Sequence, residues 1–182
     1  MVTVTPATID DLYRVEGKAE LIGGRIVHVM TSGDLPTELA FEIAIRLREY
    51  AKTTGRGKAY ADGLSYTLAH PLTSGRQSFC PDASYYDGPA PQNRMRFIEG
   101  VPQLAVEVRS ENDYGRIAEL GMASKRADYF AAGVLVVWDV DPVARTIAVY
   151  RADDPATPSM YSVQDQAEAE PALPGWRLSV AE

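Results

Sequence analysis

At 182 residues, with 46% hydrophobic and 24% charged side chains, the chain has the size and composition of one soluble globular domain, residues 1–182, with a core of its own. It has no apolar run of about 18 residues, which excludes a spanning helix, and its opening, MVTVTPATIDD, lacks the basic and apolar regions of a signal peptide. The net charge of −7 argues against broad, charge-driven nucleic-acid binding while allowing a local basic groove. The lone Cys80 excludes an internal disulfide and fits a reducing cytoplasm, and one Cys with two His is a poor basis for a zinc site.

Residues 8–15 read as a short helix, with Thr8 as cap and Asp11 three residues on. In KAELIGGRIVHVM, residues 18–30, Gly23-Gly24 between two alternating runs signals a two-residue hairpin. Glu20 then lies on a strand just before the turn, either as a solvated strand residue or as a carboxylate leaning toward a site. Residues 37–52 form the best helix of the first half, because Leu39, Ile43, Leu47 and Tyr50 make one apolar stripe. Arg46, Arg48, Lys52, Arg56 and Lys58 are the densest basic cluster, a solvated face or a phosphate contact. Residues 58–68 predict a strand pair or a bent strand. Residues 78–86 predict one short strand with Asp82 on the face of Cys80 and Ser84. A Pro-rich loop follows, residues 88–93, and is expected to border a site.

The second half is built on residues 101–141. Leu104-Ala105-Val106-Glu107-Val108 and Val134-Leu135-Val136-Val137-Trp138 are two strand-like runs separated by a helix-length segment. Strand, helix, strand at this spacing reads as a crossover unit of a parallel sheet. Glu107 stands inside an apolar run, where an unpaired carboxylate is costly. If the Asp82 and Glu107 strands are neighbours, the two acids face one another and make an oxygen-ligand site for a divalent cation. On the helix, Ile117, Leu120, Ser124, Ala127 and Ala131 share one face; Lys125 lies well off it with Gly121, Met122 and Tyr129, so periodicity alone sends Lys125 to solvent. Residues 146–151, 160–163 and 176–180 read as a β meander, with loops at 153–159 and 168–175.

Several short motifs come in a telling order: Glu20-Leu21-Ile22 before Gly24, Pro81-Asp82, Glu107-Val108-Arg109-Ser110, Lys125 followed by Tyr129, Ala132-Gly133-Val134, Trp138, Asp141-Pro142 and Leu173-Pro174-Gly175. Together they resemble the Uma-type family of putative restriction endonucleases, within the PD-(D/E)XK nuclease superfamily, over roughly residues 12–180. The resemblance implies an α/β restriction-endonuclease-like core: a mixed central sheet flanked by helices, with added antiparallel strands at the N- and C-terminal ends. It implies Mg²⁺- or Mn²⁺-dependent hydrolysis of DNA. Asp82 matches the signature aspartate and Glu107 its second acid, the two metal ligands. The lysine expected two residues after the second acid is missing from Arg109-Ser110, and Lys125 matches a lysine moved to the following helix. Glu20 is placed as the holder of a metal-bound water. Thr37 and Glu38 stand where relatives often carry a His. A homodimer is expected, since a duplex has two strands to cut. The alternative is a catalytically idle relative that binds nucleic acid or a protein partner.

Overall fold

The computed structural model describes residues 5–181. In chain order it contains helix α1 (Ile9–Leu12), strands β1 (Ala19–Ile22) and β2 (Arg25–His28), helix α2 (Asp34–Thr54), strands β3 (Lys58–Ala61), β4 (Tyr66–Thr67), β5 (Ser78–Phe79), β6 (Ala83–Tyr86), β7 (Ile98–Glu99) and β8 (Leu104–Val108), helix α3 (Arg116–Ala132), and strands β9 (Val136–Asp141), β10 (Thr146–Arg151), β11 (Asp154–Ser162), β12 (Gln166–Glu168) and β13 (Arg177–Ser179). Six strands form the central sheet in the order β11-β10-β9-β8-β6-β3. Within it β8 and β9 are parallel, and the other pairs are antiparallel. The β8-α3-β9 crossover agrees with the reading of residues 101–141, and the α/β class and mixed sheet agree with what the family resemblance implies.

Local signals explain most of the elements. Thr8 and Asp11 exchange hydrogen bonds as a complete capping box, although α1 is a single turn rather than a helix to residue 15. Gly23 and Gly24 both take positive φ, as the tight turn between β1 and β2 requires. Helix α2 lays Ala40, Ile43, Ala44, Leu47 and Ala51 on one face of the sheet, against Val106, Val108, Trp138 and Val140. The C-terminal strands close the same core, with Trp176 stacked on Trp138 at 5.2 Å between ring centres. The opposite face of the sheet carries Ala105 and Val137, which pack with Tyr66, Phe79, Tyr86 and Tyr129.

Three further elements differ from expectation. The run 78–86 is two strands, not one: β5 pairs with β4, and β6 pairs with β3 and β8, with Cys80-Pro81-Asp82 at the break. The segment 153–159, expected as a loop, lies in β11 from Asp154 onward, Pro155 and Pro158 included. It is an edge strand of the sheet, where a missing N–H costs no ladder bond. Helix α3 is turned the other way from its apolar stripe. Ile117 and Leu120 are 87% and 64% exposed, while Asp128 and Tyr129 are buried.

Candidate active site

Strand register lines four carboxylates up in one row across the sheet. Glu107 on β8 pairs with Asp139 on β9. One step beyond the Ala83–Val106 pair lies Asp82 opposite Glu107. One step beyond the Ala61–Ala83 pair lies Asp62 opposite Asp82. The expectation that Asp82 and Glu107 face one another across neighbouring strands is therefore met by the backbone.

Cations are set between these acids. The Lys18 ammonium lies 2.8 Å from Asp82 and 2.7 Å from Asp62. Lys125 lies 2.7 Å from Glu107 and 3.4 Å from Glu20. Arg109 and Arg126 hold Asp139 at 2.8 and 3.1 Å. Tyr129 donates to the other Glu107 oxygen at 2.6 Å, its ring stacked on Phe79. The second Asp82 oxygen accepts the Val108 N–H at 2.9 Å.

Helix α3 thus offers the sheet a polar face, with Lys125, Arg126, Asp128 and Tyr129 all turned inward at helical spacing. Lys125 does not point to solvent, as hydrophobic periodicity alone would have it. Glu20 is not a solvated strand residue either. It is 4% exposed, accepts the Cys80 N–H at 3.1 Å and pairs with Arg76. Arg76 in turn donates to Asp128 at 2.8 Å, which ties α3 to the β1 hairpin through Glu20.

The electrostatics follow from burial and pairing. Burial, opposed by Lys125 and reinforced by the Asp82 charge, pushes Glu107 up to about 7. Burial works in the same direction on Glu20, but Lys125, Arg76 and the Cys80 N–H outweigh it and hold that carboxyl below the usual range. Burial disfavours the Lys125 charge, yet Glu107 and Glu20 more than compensate and raise it. Asp82 and Asp62 do the same for Lys18. Both lysines are therefore cations at neutral pH, fit to donate hydrogen bonds and screen negative charge but not to act as bases.

Asp82, Glu107, Lys18 and Lys125 line a cleft of about 380 Å³ together with Met30, Ser32, Ser110 and Met122. The loop 88–93 is not part of this wall; Gly88 and Ala90 lie by Tyr86 and Gly57 instead. None of the basic cluster from Arg46 to Lys58 lines it, and Arg46 borders an apolar groove along α2. The start of α2 lies beside the cleft, where Thr37 and Glu38 share a shallow depression with Ser32.

The donor set suits a hard divalent ion. Mg²⁺ is held by one or two carboxylates and keeps several waters, and Asp82 with Glu107 supplies two such groups at the cleft. Each of their four oxygens already accepts one hydrogen bond, which leaves a second lone pair on each. Among the described residues no group of three or more His, Cys, Asp or Glu has metal-binding geometry, so the candidate ligand set here is the pair Asp82 and Glu107 and not a larger cluster.

Sequence reasoning missed Lys18, Asp62, Arg76, Asp128 and Asp139. Three of them carried a signal. Asp139 interrupts the apolar run 136–140 just as Glu107 interrupts its own. Lys18 shares strand alternation with Glu20, and Asp128 stands three residues after Lys125 on the same helix face. Arg76 sits in a loop and nothing local marks it.

The fold and the acid–lysine arrangement define a restriction-endonuclease-like α/β protein. A crystal structure described as that of a putative nuclease belonging to DUF820 from Anabaena variabilis has the same fold: the TM-score is 0.73 at 18% identity, over 97% of this chain and 96% of that one. The family model of Uma2, "Putative restriction endonuclease", matches residues 7–181, and the chain belongs to that family. No curated protein matches it. Among the described residues no helix is long and apolar enough to cross a membrane.

Proposed function

We propose that the protein is a divalent-metal-dependent endonuclease that hydrolyses DNA phosphodiester bonds at the Asp82–Glu107 cleft. The observation that carries this reading is the pairing of two adjacent strand-end carboxylates with a helix lysine, 2.7 Å from one of them, at an open cleft. Asp82 and Glu107 would hold Mg²⁺ or Mn²⁺. The bound ion supplies Lewis-acid activation of a phosphodiester oxygen and of water. Lys125 presents a fixed ammonium to the charge that develops on the phosphorus oxygens, where a preorganised donor is worth most. Glu20 holds Lys125 in place and, tied by Arg76 and the Cys80 N–H, cannot swing away from it.

Supercoiled plasmid with Mg²⁺ or Mn²⁺ tests the reading, alongside calorimetry with Mn²⁺. Wild-type protein should nick the plasmid and bind the ion. Asp82→Asn should lose both. Lys125→Ala should keep the ion and lose about 10²–10³-fold in turnover. Lys125→Arg should not recover it, because a planar guanidinium does not replace a compact ammonium. A wild-type protein that neither binds Mn²⁺ nor nicks DNA would sink the proposal.

A second reading, a non-cleaving relative that binds nucleic acid or protein, is favoured by one observation. Both acids already have a lysine against them, so the site is charge-paired without an ion. DNA binding with no nicking in any divalent ion would select it. For the nuclease we further propose a homodimer, because two sites related by a two-fold axis address both strands of a duplex. Light scattering at micromolar concentration should give twice the chain mass, and a monomer there speaks against it.

A further inference from the structure

Lys18 is a cleft cation that the proposed reaction leaves unused, and it lies directly on Asp82. Its backbone carbonyl accepts the Val29 N–H at 2.9 Å, which extends the β1–β2 ladder and fixes where its side chain starts. Its ammonium then bridges Asp82 and Asp62 at 2.8 and 2.7 Å. Lys125 repeats the pattern between Glu107 and Glu20. Each inner carboxylate thus shares a lysine with an outer one.

The two outer acids differ. Glu20 is buried and clamped by Arg76, whereas the Asp62 side chain is 50% exposed, just past the end of β3. Asp62 is nevertheless oriented, because the Oδ1 that faces Lys18 also accepts the Gly63 N–H at 2.8 Å. A divalent ion entering between Asp82 and Glu107 sets a double positive charge beside the Lys18 ammonium, and charges that close repel strongly in a partly buried site. Lysine is a point charge on a flexible stem, so it can turn toward one partner and leave the other.

We propose that Lys18 and Asp62 form a positioning pair: Lys18 holds Asp82 while the site is empty of metal, and retreats onto Asp62 when a divalent ion enters. Asp62 then sets metal affinity without touching the metal. This inference rests on the Asp82–Glu107 metal site proposed above.

Calorimetry with Mn²⁺ on wild type, Asp62→Asn, Lys18→Met and the double variant tests it, with no need for turnover. Thermal melts confirm folding, and Asp62, half exposed outside the strand, is a mild position to change. Asp62→Asn should weaken Mn²⁺ binding by about tenfold, the scale of outer-partner effects at metal sites. Lys18→Met should tighten it by a similar factor. In the Lys18→Met background, Asp62→Asn should have no further effect, because its route to the metal is gone. The same tenfold loss in both backgrounds would mean that Asp62 acts by its own charge, and the pair is then wrong while the metal site stands. An Asp62→Asn variant that binds Mn²⁺ like wild type also overturns the pair alone. Binding seen with Lys18→Met but not with wild type supports the hold of Lys18 on Asp82 and counts against an active nuclease. Absence of binding in all four proteins overturns both proposals.

Discussion

Glu107 concentrates the chemistry in one side chain. It lies on a strand between buried valines, yet an ammonium and a phenol both donate to it. Its pKa, pushed up to about 7 by burial, has a consequence for stability. A carboxyl whose folded pKa exceeds its unfolded value binds more protons in the native state between the two. Its contribution is full below about pH 4.5 and is lost as pH rises through 7, at most on the order of 3 kcal/mol. Denaturant melts of the metal-free protein from pH 5 to 8 should therefore show this declining part, and Glu107→Gln should flatten it. An unchanged slope in that variant would assign the decline to other groups. Glu107 was legible in the sequence because a charge in an apolar run is conspicuous. Asp62 and Arg76 were not, because each stands in a short connecting segment whose neighbours are brought in from distant strands.

Among elements, helix α3 teaches the most. Sheet-forming runs were legible at β8 and β9, where a continuous β-branched pattern reports burial on both faces. The β1–β2 hairpin was legible from its two glycines, and α2 from its stripe. For α3 the same stripe rule pointed outward, because this helix docks by ion pairs and one stacked tyrosine rather than by leucines. Only the motif order placed Lys125 at the site. A charge-docked helix should respond to the loss of one partner of a buried pair, which leaves the other charge less well compensated. Hydrogen exchange of Asp128→Asn should quicken in residues 116–132 while α2, held by an apolar face, changes little. Equal protection of both helices in wild type and variant would remove this account of α3.

At the scale of the whole molecule, the formal charge of −7 is a poor guide to what a phosphate meets in the cleft. The salt bridges there fall into three linked groups. Lys18 joins Asp62 and Asp82, one cation to two acids. Lys125 and Arg76 join Glu20, Glu107 and Asp128, two cations to three acids. Arg109 and Arg126 join Asp139 and Glu119, two to two. With every group ionised, the first two carry one negative charge each, and they meet at Asp82 and Glu107. One divalent ion cancels both. On the proposed function, the ion is then a condition for admitting an anion as well as a reagent, and the two ligands are thermodynamically linked. The factor by which Mn²⁺ strengthens binding of a duplex with non-hydrolysable linkages should equal the factor by which that duplex strengthens binding of Mn²⁺. Fluorescence anisotropy with and without the ion, set against calorimetry with and without the duplex, measures both sides. If the duplex binds equally well in a chelator, the cleft does not gate its substrate by charge.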